Sequence, residues 1–173
     1  ILILVCIYII LAVSLNLAIG YTGLLNLGHV AFFGIGAYTS ALLTKAGVPF
    51  GISLLAAGVF AAVFGYLLVY ATRKLKGDYL ALATLGFNFV IYSILLNWTG
   101  LTRGPLGIPG IQKPSFFNLV ISSNTAYFVF VLIMAVLTVG CIYLIVRSPF
   151  GRLLQATRDD EIGLRVLGKT RLN

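Results

Sequence analysis

Few side chains in this sequence could carry acid–base or metal chemistry. The 173 residues include one histidine, two cysteines and four carboxylates. The carboxylates are Asp78, Asp159, Asp160 and Glu161. Cys6 and Cys141 lie singly inside apolar runs, where cysteine usually serves as a small buried hydrophobe. The sequence holds no phosphate-binding loop of the G-x-x-x-x-G-K-S/T kind, and no nucleophile–base pair or metal-ligand cluster can be assembled within its apolar runs, which argues against an intramembrane hydrolase and a carboxylate proton relay. We expect no cofactor and no metal.

A second chemical feature is the stretch NLAIGYTGLLNLGHVAFFGIGAY, residues 16–38, where polar residues and glycines interrupt an apolar run. Irregular, polar backbone at membrane depth is tolerated only where protein or a water-filled cavity covers it. A helix broken there would offer half-helix ends to a small polar solute. The alternative is close helix packing, because small residues recur at helical spacing at Gly34, Ala37 and Ala41. The candidate residues of a translocation pathway are Asn16, Gly20, Tyr21, Gly23, Asn26, Gly28, His29, Gly34 and Gly36.

Membrane-spanning helices must position these residues. Hydrophobic residues make up 60% of the chain and charged residues 9%, with a mean hydropathy of +1.07. A soluble domain carries roughly 25% charged residues. The composition therefore predicts an all-α, polytopic integral membrane protein of about five transmembrane helices, with a broken helix near 16–36. The predicted spans are 1–19, 29–44, 52–71, 79–96 and 125–146, since a span needs about 20 apolar residues.

Basic residues indicate the orientation of these spans. If the spans alternate in direction, the twelve lysines and arginines divide into nine on one side and three on the other. Positive charge is retained in cytoplasmic loops. Residues 72–78 and 147–173 are therefore predicted to be cytoplasmic, and 45–51 and 97–124 extracytoplasmic. This topology explains the net charge of +8 without nucleic-acid binding.

The segments between the spans carry local signals of their own. Glycines and prolines between residues 97 and 124 predict a folded cap or re-entrant segment without a regular helix. Gly77 is predicted to be a turn residue and Asp78 the N-cap of the fourth span. In the tail, Ser148 and Pro149 predict the N-cap and first residue of an amphipathic surface helix. Three consecutive acids in this basic tail favour docking on a soluble protein over an anionic membrane surface.

Three long motifs occur in one order along the chain and resemble a known family. They are SLNLAIGYTGLLNLGHVAFFGIGAYTSALL, LKGDYLALATLGFNFVIYSILLNWTGLTRGPLGIPGI and RSPFGRLLQATRDDEIGLRVLG. They are similar to the permease subunit of branched-chain amino acid ABC transporters, of the LivM type, over residues 14–168. The chain begins at Ile1 without a methionine and is shorter than such permeases. We therefore expect a fragment, residues 1–173, of a single transmembrane permease domain.

The resemblance implies an import permease of a bacterial or archaeal inner membrane. Two cytoplasmic ATPase subunits, a homologous second permease and an extracytoplasmic binding protein are the implied partners. The stretch at 16–36 maps onto a broken helix that lines the pathway, and 147–173 onto a cytoplasmic segment that couples to the ATPase. The candidate coupling residues are Arg158, Asp159, Asp160, Glu161 and Gly168.

The implied substrates are leucine, isoleucine or valine, and relatives that carry amides, urea or other small polar solutes leave that choice open. The alternatives to an ABC permease are a self-contained channel or secondary carrier for a small polar solute, and a membrane scaffold. Among these, only the ABC permease needs a docking helix in the tail. The predicted absence of carboxylates within the spans disfavours an ion-coupled carrier.

Overall fold

Long apolar helices dominate the fold of the protein, which we describe from a computed structural model. The structure describes residues 1–75, 77–111, 115–116, 119–120 and 123–159. In chain order the elements are α1 (Leu2–Asn16), a π-helical turn (Leu17–Tyr21), α2 (His29–Lys45), α3 (Phe50–Thr72), α4 (Asp78–Asn97), α5 (Thr99–Thr102), a 3-10 turn (Gly104–Leu106), β1 (Ser115–Phe116), β2 (Leu119–Val120), α6 (Asn124–Arg147) and α7 (Pro149–Asp159).

The long helices lie over the predicted spans, and each begins and ends within two residues of its prediction once α1 is taken with the π-helical turn that continues it. Among the described residues, four such stretches are long and apolar enough to cross a membrane: α1 with the turn, α3, α4 and α6. Helix α2 has 17 residues, at the short end of the range for a span. The predicted class, an all-α polytopic membrane protein, is confirmed.

Contacts divide the chain into two compact units. The first comprises Ile1–Leu25 and Thr125–Asn173, and its described core is formed where Cys6 of α1 packs against Val131 and Ala135 of α6. Cys6 is buried, as predicted. The same prediction for Cys141 is wrong, because this side chain is exposed on α6. A thiol is apolar enough to face lipid or a neighbouring subunit, so an apolar run alone does not determine its burial.

The second unit, Asn26–Asn124, is organised around α2, which packs against α3 and α4. Its described core comprises Ala31 and Ile35 of α2 with Ile91 of α4. The rings of Phe32 and Phe87 lie 5.5 Å apart between centroids at an interplanar angle of 37°, an arrangement favoured for aromatic pairs. Large side chains from all three helices therefore fill the core of this unit.

Two helices end in an arginine that stacks over a tyrosine one turn earlier. The Arg73 guanidinium carbon lies 4.7 Å from the centroid of the Tyr70 ring, and that of Arg147 lies 4.5 Å from the Tyr143 ring. Arg73 directly follows α3 and Arg147 is the last residue of α6, positions where positive charge is favoured by the helix dipole. They are at the ends of α3 and α6 that charge distribution predicts to be cytoplasmic.

The segment after α4 is folded, but the prediction that it holds no regular helix is wrong for the four residues of α5. The Thr102 hydroxyl lies 2.6 Å from the carbonyl oxygen of Leu95 and 2.9 Å from that of Trp98, and it accepts the Gly104 N–H at 3.2 Å. These bonds fold the chain back onto the end of α4. Arg103 adopts a left-handed φ of 61° in this turn, and β1 and β2 pair antiparallel beyond it.

The predicted helix caps are confirmed in one case and corrected in the other. Ser148 is the N-cap of α7, because its hydroxyl accepts the Gly151 N–H at 3.3 Å and Pro149 follows as the first helical residue. Asp78 is not the N-cap of α4. Gly77 takes that position with a φ of 54°, and Asp78 is the first helical residue without a capping bond. A carboxylate there still interacts favourably with the helix dipole.

Candidate functional site

The apolar segment that opens the chain is a broken helix, as predicted. Helix α1 continues into the π-helical turn at Leu17–Tyr21. Such turns are rare in proteins, and those that occur often lie at functional sites. The helix then ends at Gly23, whose N–H donates to the Ile19 carbonyl at 3.1 Å and whose φ is +68°. A left-handed glycine of this kind is a common way to terminate a helix. Residues 23–28 are not helical, and α2 begins at His29.

Two of the candidate pathway residues meet at the π-helical turn. The Asn16 side-chain oxygen occupies the position where a β-carbon of residue 20 would lie, so Gly20 leaves room for this carboxamide. The Thr22 hydroxyl bonds back to the Ala18 carbonyl. Asn16 is exposed, whereas Tyr21 is half-buried. A polar amide therefore lies at the break and can reach a partner outside its own helix.

Two hydrogen bonds to side chains hold the backbone at the start of the second unit. The Asn26 side-chain oxygen accepts the Gly28 N–H at 3.0 Å, which closes a local turn. The Leu27 N–H donates to the Thr84 hydroxyl of α4 at 3.0 Å, and that hydroxyl donates to the Ala81 carbonyl at 2.9 Å. Thr84 is buried. This buried hydroxyl therefore fixes the start of α2 to α4.

Glycines at the start of α2 and within it allow other helices to approach closely. The distance to the nearest atom of a neighbouring helix increases from Gly28 to Gly36. A β-carbon at residue 28 would lie 2.9 Å from the Thr84 carbonyl oxygen, and one at residue 34 would lie 3.3 Å from a Leu95 methyl. At Gly36 the nearest atom would be 4.0 Å away. The tightest approach is therefore at Gly28, which lies outside the small-residue face of Gly34, Ala37 and Ala41 for which helix packing was the predicted alternative. His29, between Gly28 and Gly34, is half-buried as the first residue of α2.

Thr84 is a residue of this site that the sequence analysis missed. It lies 57 positions from its partner Leu27, so no local pattern pairs them. The available signal was a lone hydroxyl in an apolar span, which must find a hydrogen-bond partner when buried.

Replacement of Thr84 by valine is expected to destabilise the second unit by about 1–2 kcal/mol, because the Leu27 N–H loses its acceptor without a change in side-chain shape. Thr84→Ser keeps the hydroxyl and should remain close to wild type. The free energy of unfolding in mixed micelles, measured for both variants, distinguishes the lost hydrogen bond from lost packing. Equal stability of the two variants would show that the hydroxyl is dispensable.

Helix α7 contributes one candidate residue to the contacts at the end of the π-helical turn. The Arg158 guanidinium donates through Nη1 to the Gly20 carbonyl, and its Cγ lies 3.0 Å from the position of a β-carbon at Gly23. Of Asp159, the structure describes only the backbone at the end of α7. The other candidate coupling residues, Asp160, Glu161 and Gly168, lie outside the described residues. Arg158 therefore contacts the broken helix of its own chain.

The site holds no cluster of ionisable ligands. In the part of the chain that the structure describes, His, Cys, Asp and Glu side chains do not gather in groups of three that could hold a metal ion. Each of the two helix ends, taken by itself, carries polar groups: the Thr22 hydroxyl at the end of the π-helical turn, and the Asn26 amide at the start of α2.

Known proteins resemble this chain over nearly its whole length. The family model described as "Branched-chain amino acid transport system / permease component" matches residues 1–171. The high-affinity branched-chain amino acid transport system permease protein LivM of Escherichia coli (strain K12) is 40% identical over 186 aligned positions. These cover 94% of this chain and 44% of the relative. The LivM protein of Salmonella typhimurium (strain LT2) is 39% identical with the same coverage.

A more distant relative comes from an archaeon. The probable branched-chain amino acid transport permease protein LivM of Methanocaldococcus jannaschii is 27% identical, with 94% of this chain and 56% of the relative covered. No solved structure matches the chain significantly. The chain spans less than half of the two bacterial relatives. It belongs to the family of branched-chain amino acid transport system permease components and is a multi-pass inner-membrane protein.

Proposed function

We propose that this chain is the transmembrane part of an ABC importer that moves branched-chain amino acids, or related small polar solutes, and is driven by separate ATPase subunits. The observation that carries the proposal is the break at 23–28, which lies between two helix ends within a chain of this family. The bacterial relatives are named as high-affinity permeases for branched-chain amino acids. Residues 16–36 are the candidate lining of the pathway.

The chemistry of one helix end suits an amino-acid solute. No side-chain hydrogen bond caps α2 at Gly28, and the positive end of the helix dipole lies there. This positive end matches the carboxylate that all α-amino acids share, whereas an apolar lining suits their branched side chains. Half-helix ends bind solutes in this way in other transporter folds.

The tail supplies the second requirement of the proposal, a surface for the energy source. Helix α7 is amphipathic, unlike the apolar helices before it, and leads into the acidic residues at 159–161. An amphipathic helix at the cytoplasmic end of α6 can dock on a soluble protein. We propose two ATPase subunits as these partners, with a homologous second permease in the bilayer and an extracytoplasmic protein that delivers the solute.

Reconstitution of the full-length permease in proteoliposomes tests this function. With the proposed ATPases, second permease and binding protein added, we expect ATP-dependent uptake of labelled leucine, isoleucine or valine from a panel that includes amides and urea. Reversal of the three charges (Asp159→Lys, Asp160→Lys and Glu161→Lys) should lower uptake and ATPase co-purification about tenfold or more, because like charges then face the docking surface.

A matched control reverses one exposed charge on the same helix, Arg152→Glu, outside the acidic cluster. This variant should retain most of the uptake. Solute uptake that persists without any ATPase would instead indicate a self-contained channel or carrier. Normal uptake by the triple variant would show that the acidic cluster has no part in docking.

A further inference from the structure

Arg158 makes two contacts with the broken end of α1, 138 residues away in sequence. Its guanidinium donates to the Gly20 carbonyl in the π-helical turn. The last carbonyls of a helix lack partners within it and carry the negative end of its dipole. A guanidinium at this position therefore satisfies an acceptor and also complements its charge. An arginine near a helix C-terminus stabilises it in this way.

The second contact is steric and does not depend on the first. The aliphatic part of Arg158 lies over Gly23, with its Cγ 3.0 Å and its Cβ 3.6 Å from the position of a β-carbon there. Gly23 has a φ of +68°, a conformation that glycine adopts at little cost. The glycine that ends α1 thus also provides the flat surface on which the arginine stem packs.

The opposite end of α7 is held equally closely. The Ser148 hydroxyl donates to the Ile145 carbonyl at 2.6 Å and caps α7 through the Gly151 N–H. Gly151 is buried against the end of α6. Helix α7 is therefore attached to α6 at its start and to the end of α1 through Arg158. It cannot shift relative to the break without loss of one of these contacts.

We propose that Arg158 is a positioning residue that transmits the movement of α7 to the broken end of α1, instead of a side chain that contacts the ATPase. This inference rests on the proposed function, in which α7 moves with the ATPase. The guanidinium makes the break follow α7, so the carbonyl at Gly20 and the loop at 23–28 change position when the ATPases close. The solute pathway and the energy source are then linked within one chain.

The test uses the full-length permease in the assembled transporter and measures uptake and ATP hydrolysis on the same proteoliposomes. For Arg158→Gln we expect hydrolysis and ATPase co-purification to persist, while uptake per ATP falls about tenfold or more, the factor expected for the loss of one charge-assisted hydrogen bond. Arg158→Lys keeps the positive charge but lacks the planar guanidinium group. Its uptake per ATP should lie between that of Arg158→Gln and that of wild type.

Arg152→Gln is the matched control, since Arg152 is an exposed arginine on the same helix. It should leave uptake per ATP unchanged. Joint loss of hydrolysis and co-purification in Arg158→Gln would overturn the inference and assign Arg158 to the ATPase contact. Unchanged uptake per ATP would also overturn it. If the wild-type transporter shows no ATP-dependent uptake of any solute in the panel, the proposed function itself fails.

A thiol probe of the break gives an independent readout. Leu24 is exposed just beyond Gly23, and Cys141 is the exposed native cysteine. In a background with Cys141→Ser and every other exposed cysteine of the assembled transporter replaced, the labelling rate of Leu24→Cys should differ several-fold between nucleotide-free and ATP-bound transporter, as expected for a coupled conformational change. Arg158→Gln should abolish this difference. A difference that survives in Arg158→Gln would contradict the link.

Discussion

Replacement of Gly28 by alanine is expected to disrupt the start of α2 and to reduce uptake by the assembled transporter about tenfold or more, since overpacking of a close contact costs roughly 1–3 kcal/mol. The added β-carbon would lie 2.9 Å from the Thr84 carbonyl oxygen and 3.5 Å from the Phe87 ring. That carbonyl belongs to the backbone of α4, so it cannot swing aside as a side-chain end would. The start of α2 must move instead, and the hydrogen bond from Leu27 to Thr84 is then lost.

Two glycines within α2 are controls, because an added methyl group is expected to meet less steric hindrance there than at Gly28. Gly34→Ala would meet a flexible Leu95 methyl at 3.3 Å, and Gly36→Ala has its nearest atom 4.0 Å away. We expect a moderate effect for the first and unchanged folding for the second, since alanine favours the helix by about 1 kcal/mol over glycine. Monodisperse yield after detergent extraction, together with solute uptake, separates folding from transport. Wild-type folding and uptake by Gly28→Ala would contradict the close approach of α2 to α4.

The control at Gly36 also separates the two interpretations of the glycine-rich stretch. If the glycines serve only helix packing, Gly36→Ala retains uptake as well as folding. If residue 36 lines the pathway, the methyl group lowers uptake of the larger solutes while the protein still folds. The ratio of leucine to valine uptake in this variant is therefore the informative measurement.

The helices and the break follow from information that is local in sequence. The backbone of about 20 apolar residues can be satisfied in lipid only as a helix, so the bounds of the long helices were predictable to within two residues. The break was predictable because several glycines and amides fall in one apolar run. The cap at Ser148 was predictable too, since serine before proline signals a helix start.

The contacts that hold the break are not local, and the sequence did not indicate them. Leu27 and Thr84 lie on segments 57 residues apart, and Gly20 and Arg158 are 138 residues apart. Pairing of this kind depends on which helices pack together, which composition does not determine. The resemblance implies an ATPase contact for Arg158, which stays a prediction, and it gave no indication of the bond to Gly20. Asp78 was misplaced by one residue because the left-handed φ of Gly77 could not be inferred from its neighbours.

At the corner between α6 and α7, residues 147–151, an added methyl group should be at least as disruptive as it is at Gly28. A β-carbon at residue 151 would lie 2.7 Å from the Ile145 carbonyl oxygen and closer still to that of Val146. Both carbonyls belong to the last turn of α6, and Gly151 is buried against them. Gly151→Ala therefore forces the corner open. Uptake and ATPase co-purification should each fall about tenfold or more, because the strain of overpacking is added to lost long-range contacts.

Two variants separate this effect from simpler ones. Ser148→Ala removes the cap alone and should cost about 1 kcal/mol of stability while the transporter stays active. Gly140→Ala adds a methyl group to α6 where no atom lies within 4 Å, so it should behave as wild type.

Labelling of Leu24→Cys in the Gly151→Ala protein then connects the corner to the break. If α7 carries movement from the ATPase to α1, its displacement at Gly151 alters the labelling rate even without nucleotide, because Arg158 no longer reaches the Gly20 carbonyl. Should Gly151→Ala abolish ATPase binding but leave this rate unchanged, α7 serves as a docking helix alone, and the break is controlled from elsewhere in the transporter.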